Sequence, residues 1–434
     1  MCRSVKRLLP QNGYEYPSTG LQTIRILLRG NFLVMLIGYC IAVPLIGTTI
    51  AYLPLYLDWL GATPLIIGLA IGFPEFIALI LRIPGGYIGD AYGRKYLTVR
   101  MNFVLGLVGV FIAFAPSWEV LFILLVVRAM AGFYMPAEYA LLADSIPERL
   151  RSSGYGLFWT IVGVVGLGGP ILGGLLYESM GLTGLRIGWL IFGSADMIKA
   201  VYYQFFLRET LPGQPDKTSV WHIIATSYSD AAPRLVSILR NRSLSVVVAL
   251  GMLGIAINAL SSTYLILYFT RVLGFSALLW GSIISAARGI TLLLQTPIGI
   301  LSDRFGRRAI LSAFIAASGA SLILLGFPPL PVEVVSLLTL TVFATSLIQG
   351  IPKPILDAAL IDWVPEAERA RLIGIILTIW GVTAFPSNLV WGYAYGFSPP
   401  QVFQIGGIVS LAILPLLLAR FQEARVHPST EAMG

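Results

Sequence analysis

Twelve long apolar runs punctuate this chain of 434 residues, and they decide what it can fold into. They fall approximately at 30–57, 64–88, 97–116, 119–142, 154–180, 186–207, 243–270, 278–301, 309–327, 331–356, 370–396 and 401–420. Each is close to the roughly 20 apolar residues that a helix needs to cross a bilayer. In hydrocarbon every backbone N–H and C=O must be bonded within the protein, so each run is expected to be a helix. Only 12% of the residues are charged, about half the usual share of a soluble chain. The sequence therefore reads as an all-α integral membrane protein with twelve transmembrane helices.

The polar connections set the orientation. Arg3, Lys6, Arg94, Lys95, Arg149, Arg151, Arg307, Arg308 and Arg420 all fall on one side of the alternating runs, whereas the other side holds only Arg186 and Arg271. Segments rich in Lys and Arg stay in the cytoplasm. Both termini are thus expected to be cytoplasmic, in a multi-pass protein of the cell (plasma) membrane. The basic tail 1–29 lacks a compact apolar core ending in a cleavage site, so it reads as retained. The net charge of +8 is dispersed among short loops, which argues against a nucleic-acid partner. Cys2 and Cys40 are the two cysteines and predict no disulfide framework. The longest polar connection, 208–242, carries Pro212, Gly213 and Pro215 and divides a half at 30–207 from a half at 243–420, followed by a tail at 421–434. That connection is either a plain tether or the site of short amphipathic helices on the membrane surface.

The halves repeat. Pro84 opens a segment in which Gly86, Asp90, Gly93, Arg94 and Lys95 recur as Gly299, Asp303, Gly306, Arg307 and Arg308, with the two aspartates 213 positions apart (303 − 90). Tyr52-Leu-Pro-Leu-Tyr56 recurs as Tyr264-Leu-Ile-Leu-Tyr268. Farther on the offset becomes 218 (350 − 132), matching Gly132, Pro136 and Asp144 to Gly350, Pro354 and Asp362. Two parallel six-helix halves with binding between them is a transporter architecture.

The pattern Gly-x-x-x-Asp-x-x-Gly-Arg-(Lys/Arg), present twice, resembles the signature loop of the major facilitator superfamily. The resemblance implies the major facilitator fold, with the loop joining helices 2 and 3, and 8 and 9, on the cytoplasmic side. It also implies that the loop's acid and bases latch neighbouring helices when the inner gate is shut. Gly169-Pro170-Ile-Leu-Gly173-Gly174 in helix 5 resembles the family's antiporter motif, although an upstream family glycine falls on Val165. Helix 11 has no such motif and reads Phe385-Pro386-Ser-Asn388. Arg128-x-x-x-Gly132 resembles the helix-4 motif linked to proton coupling or substrate charge. The acid that some members carry in helix 1 is missing, which leaves Glu75 or Glu138 as its substitute.

Ionisable residues within spans are functional candidates by default. Glu75 in helix 2 corresponds to Arg288 in helix 8, and Arg82 and Gln295 lie seven residues beyond each. Glu75 is read as a proton-accepting carboxylate, the alternative being a fixed pair with Arg82 or Arg288. Asp196 and Lys199, spaced i, i+3 in helix 6, read as a mutually neutralising pair, and Lys353 and Asp357, spaced i, i+4 in helix 10, as either such a pair or a ligand site. By family resemblance the cavity is lined from helices 1, 4, 7 and 10, with Tyr39, Tyr52, Tyr134, Asn258, Tyr264, Gln349, Lys353 and Asp357 as candidates.

His222 and His427 are the only histidines, no metal-ligand spacing occurs and no Walker loop is present. An enzyme or an ATP-driven pump is disfavoured, and no cofactor is expected. The sequence thus predicts a monomeric secondary transporter with protons, membrane lipid and a small-molecule substrate as partners. Export of a hydrophobic or amphipathic compound against protons comes first. Transport of a small organic anion or sugar-like solute is the alternative.

Overall fold

The structure, a computed structural model, describes residues 20–211, 242–327 and 369–415. All regular structure among the described residues is helical. After a short helix Gly20–Leu27 (α1), the first span is Gly30–Ile50 (α2), a turn, and Leu53–Trp59 (α3). Pro54 sits in the first turn of α3, where its missing N–H leaves no bond unmade. The second span is Pro64–Tyr92 (α4) and the third Arg94–Ala113 (α5). The fourth is Trp118–Ala131 (α6), a 3-10 turn and Met135–Asp144 (α7). The fifth is Arg151–Gly166 (α8) with Gly168–Met180 (α9), and the sixth Leu182–Phe206 (α10).

The second half repeats this plan. Arg242–Ala259 (α11) continues through a π turn at Leu260–Tyr264, Leu265–Leu267 (α12) and a second π turn at Tyr268–Val272. Ala277–Phe305 (α13) and Arg307–Leu325 (α14) follow, then Arg369–Phe397 (α15) and Pro399–Ala412 (α16). Eight helical stretches among the described residues are long and apolar enough to cross a membrane. The expected helix at 331–356, with Gln349, Lys353 and Asp357, lies outside the described residues, as do both tails and most of the 208–242 connection.

The expected signature loops are sharper than loops. Helix α4 runs through Asp90 to Tyr92, and Gly93 alone joins it to α5. Gly306 alone joins α13 to α14. Their φ angles are +101 and +90, a region that side chains other than glycine avoid. These corners mark one end of the bundle; the other is called here the far end.

The halves meet chiefly at the far end. The largest core cluster there is continuous across both halves, from Tyr52, Leu55, Ile67 and Trp189 to Leu265, Phe269, Trp280 and Phe403. The remaining core clusters each belong to one half. Two seams join the halves, α4 against α15 and α9 against α13. Along α4 the second half approaches Gly68, Gly72 and Leu79, and along α13 the first half approaches Gly281, Gly289 and Leu292. Towards the corners, farther along the same helix lines, Gly86 meets only Pro136 of its own half and Gly299 has no atom of the first half beside it. The central space is thus closed at the far end and parted at the corner end among the described residues. Trp280 is buried at the far end beside Phe269.

Candidate functional site

Four buried or half-buried charges gather inside the first half. Span 4 supplies Arg128 and Glu138, with the 3-10 turn Gly132–Tyr134 between them, and α10 supplies Asp196 and Lys199. Arg128 Nη2 donates to Asp196 Oδ2 at 3.3 Å, and Arg128 Nη1 donates to the Leu105 carbonyl at 2.7 Å. Lys199 Nζ lies 3.0 Å from Glu138 Oε1, and the Tyr39 hydroxyl donates to Glu138 Oε2 at 3.0 Å. The Lys199 contact is an ion pair without hydrogen-bond alignment, because Oε1 has no hydrogen bond. Glu138, Asp196 and Lys199 are 2%, 5% and 5% exposed. Such charges are tolerable in the interior only when paired. Aromatic faces add to the pairing: Arg128 stands 4.7 Å over Phe192 and Lys199 stands 4.4 Å over Tyr39.

This arrangement corrects the sequence expectation in two ways. Asp196 and Lys199 do not neutralise each other; each pairs across to span 4. The acid facing Arg128 is Asp196, neither Glu75 nor Glu138. One sequence signal was available. Spans 4 and 6 run in the same direction and carry base-then-acid against acid-then-base, a complementary order that the i, i+3 spacing obscured.

Glu75 and Arg288 are both exposed, and neither has an ion-pair or hydrogen-bond partner among the described residues. The expected fixed pairing of Glu75 with Arg82 or Arg288 is therefore absent. Tyr134 is buried and donates to Asn102 Oδ1 at 3.0 Å, which takes it out of a cavity wall. Asn258 is exposed on α11, and Tyr39 is half-buried over Glu138.

The repeated Tyr-Leu-x-Leu-Tyr motif closes the far end. Tyr52 and Tyr264, expected in the cavity, are fully buried at the two seams. The Tyr52 hydroxyl lies 2.6 Å from the Pro170 carbonyl of its own half and 3.1 Å from the Ala277 carbonyl of the other. The Tyr264 hydroxyl lies 2.7 Å from the Asn388 carbonyl and 3.3 Å from the Pro64 carbonyl across the interface. These acceptors correspond by the repeat: Pro170 and Asn388 are 218 apart, Pro64 and Ala277 are 213 apart. Helix 11 thus performs the helix-5 role without the helix-5 motif. Tyr56 and Tyr268 bond instead within their halves, to the Ile112 and Leu325 carbonyls at 2.9 Å each. Asp58 and Arg271, themselves at the 213 offset, pair with each other at 2.8 Å across the pseudo-two-fold.

The antiporter-like motif builds one of these seams. Gly169 lies against Pro44 and Gly47 of α2, Gly173 against the Tyr52 ring, and Gly174 against Ala277 and Leu278 of the other half. Small residues let the backbones approach this closely. A β-carbon at Gly281 would lie 2.5 Å from the Tyr52 hydroxyl, and one at Gly392 2.5 Å from that of Tyr264.

At the first corner Arg94 Nε donates to Asp90 Oδ1 at 2.8 Å and Nη1 donates to Asp144 Oδ2 at 2.6 Å. The Thr210 hydroxyl adds a bond to Asp144 at 2.7 Å, and the Lys95 amide donates to Glu209 Oε2 at 2.9 Å. Spans 2, 3 and 4 and the chain after span 6 are bolted together here, all within one half. At the second corner Gly306 makes the same bend after Asp303; Asp362, the position matching Asp144, lies outside the described residues.

The chain is 27% identical over 318 residues to the multidrug resistance protein MdtG of Rahnella sp., covering 70% of this chain and 73% of that one. It is 33% identical over 165 residues to a multi-drug resistance efflux pump homolog of Lactococcus lactis, a match spanning 39% of that protein's length. Among solved structures, the nucleoside transporter NupG superposes with a TM-score of 0.72 at 16% identity, over 90% of this chain and 99% of that one. A bacterial homolog of the human lysosomal transporter Spinster, inward-facing and unoccupied, gives 0.69 at 14% identity, over 93% and 97%. The family model described as Major Facilitator Superfamily matches residues 35–294 and 281–433. With nearly its whole span matched, this chain belongs to the Major Facilitator Superfamily of transporters.

Proposed function

We propose that the chain is a proton-coupled exporter of a small amphipathic compound, acting as a monomer in the plasma membrane with both termini in the cytoplasm. The observation that carries the coupling is Glu138, a buried carboxylate held by a lysine on one side and a tyrosine hydroxyl on the other. Protonating Glu138 cancels its attraction for Lys199 and turns an acceptor for Tyr39 into a potential donor. Lys199 is then left without an anion of its own, because Asp196 is engaged by Arg128. The pairing between span 4 and α10 must rearrange, and Tyr39 with it, so one proton changes how span 1 packs. The relatives named as drug-resistance proteins support export. The orientation rests on the basic corner end, which the positive-inside rule assigns to the cytoplasm. On that assignment the cavity described here is open to the cytoplasm, ready to load an exported solute. The corners around Asp90, Arg94 and Asp144 then hold spans 2 to 4 as one rigid body while the halves rock. Asn258, exposed on α11, is assigned to solute contact, and so by sequence alone are Gln349, Lys353 and Asp357, which lie outside the described residues.

The test is purified protein in proteoliposomes with an imposed pH gradient and a lumenal pH dye, screened with lipophilic cations, organic anions and sugars. Solute-dependent proton flux is expected, lost in Glu138→Gln and kept at a reduced rate in Glu138→Asp. Undiminished flux in Glu138→Gln would remove the coupling role from this carboxylate.

A further inference from the structure

We propose that Glu75 and Arg288 are opposite charge poles of the solute cavity, and that the cavity takes an amphipathic zwitterion whose cationic end meets Glu75 and whose anionic end meets Arg288. The inference rests on the transporter reading and specifies its substrate class.

Turning about 100° per residue along a helix, Gly68, Gly72 and Leu79 of α4 form the line facing the second half. Ile67, Ala70 and Ala78 face the first-half interior, and Ile80 and Tyr87 are exposed on one flank of the seam. Glu75 falls on the opposite flank, between the seam line and the interior line, and is exposed. That flank is the central space between the halves, because the other faces lipid. Helix α13 has the same layout. Gly281 and Leu292 face the first half, Ile283 and Ala287 are buried in their own half, Leu293 and Ile300 are exposed on the lipid flank, and Arg288 is exposed on the other. The two positions are related by the repeat, 213 residues apart (288 − 75), so they stand on opposite sides of the pseudo-two-fold, one at each seam.

Four charges deep in the first half are neutralised in two pairs, Arg128 with Asp196 and Lys199 with Glu138. Glu75 and Arg288 have no such partner among the described residues. Arg82 lies two turns nearer the corner end, about 10 Å along the helix axis, half-buried and with its Nε unbonded among the described residues. A lone charge in a partly desolvated space is costly. A solute carrying both signs satisfies both poles at once, whereas a simple cation or anion leaves one pole unmatched.

The surroundings set the rest of the solute. On the Glu75 side the seam is aromatic, with Phe76 of α4 packed on Phe385 of α15 at a ring-centroid distance of 5.6 Å. Aromatic faces next to a carboxylate suit an organic cation. Beside Arg288 the seam is aliphatic, with Leu167 over Gly289 and Leu292 over Gly163. A solute with a flat, apolar body between its charged ends fits both walls.

The experiment uses three dyes of one shape and different charge: zwitterionic rhodamine 110, its cationic methyl ester rhodamine 123, and anionic fluorescein. Binding to the purified full chain is read by fluorescence anisotropy. Wild type is expected to bind rhodamine 110 about tenfold more tightly than either other dye. Glu75→Gln should weaken rhodamine 110 and rhodamine 123 and spare fluorescein, and Arg288→Gln should weaken rhodamine 110 and fluorescein and spare rhodamine 123. The exchange pair Glu75→Arg with Arg288→Glu should restore the zwitterion preference. Both sites are exposed, and size-exclusion profiles check that the variants fold. Dye affinities that neither substitution changes, or equal affinity for the three dyes, would overturn the proposal. Loss of proton-driven flux of every solute in Glu75→Gln, with its dye affinities intact, would also overturn it by making Glu75 a proton site. Vesicle flux is a separate readout: charge preference without any flux supports the poles and counts against the transporter reading.

Discussion

Asp196 is held by one cation, Arg128, whose guanidinium also reaches the Leu105 carbonyl. Neutralising Asp196 leaves Arg128, half-buried beside the Phe192 ring, with no counter-charge. Breaking a buried pair by removing one partner costs about 3–5 kcal/mol. Asp196→Asn is therefore expected to lower the melting temperature of the purified protein by several degrees. Removing both charges, in Arg128→Gln with Asp196→Asn, should recover part of that loss, because no lone charge remains. Thermal unfolding followed by tryptophan fluorescence checks this; a double variant less stable than Asp196→Asn would argue that the pair is not the source of the effect. At this scale the sequence named the charged residues and misassigned their partners. Partner choice depends on how spans 4 and 6 lie against each other, which local spacing does not encode. Burial was misread for Tyr52 and Tyr264 for a related reason. A tyrosine in a span reads equally as a cavity wall or as a hydroxyl bonded to a carbonyl across a seam.

The elements themselves were largely legible. Apolar runs of bilayer length located every described span within a few residues, because a membrane helix has no choice but to bond its own backbone. The exceptions lie where the chain departs from a plain helix. The first span breaks at Ala51–Tyr52 and the seventh carries π turns at Leu260–Tyr264 and Tyr268–Val272. Such turns are frequent at functional sites, and here they bracket the second copy of the tyrosine motif. The helix-5 glycines were recognisable as close-packing residues, but what they pack against was not. Gly281 on α13 shows the consequence. Its added methyl group in Gly281→Ala would meet the Tyr52 hydroxyl and the Pro170 carbonyl. That substitution is expected to hold the α9–α13 seam apart. Reaction of a cysteine placed at Leu278 with a water-soluble maleimide from the far-end side should speed up severalfold; an unchanged rate would show that the seam absorbs the methyl group.

Across the whole molecule the repeat is the organising fact. Tyr52 with Pro170 and Ala277, and Tyr264 with Asn388 and Pro64, are one device used twice, and the Asp58–Arg271 pair sits between them on the pseudo-two-fold. Symmetry of this kind lets the far end close and open as a unit. Each buried carbonyl left without its donor costs about 1–3 kcal/mol, so the two hydroxyls bias the resting state towards a closed far end. Alternation of the two ends is the central claim, and distances between spin labels test it most directly. In a cysteine-free background, one pair of labels at Leu60 and Leu273 reports the far end and another at Tyr92 and Phe305 reports the corner end. At rest the far-end distance should be short and the corner-end distance long. Removing both hydroxyls, in Tyr52→Phe with Tyr264→Phe, should move population to a longer far-end and a shorter corner-end distance together. Distances that stay unchanged, or that lengthen at both ends at once, would contradict alternation and leave the tyrosines as static packing.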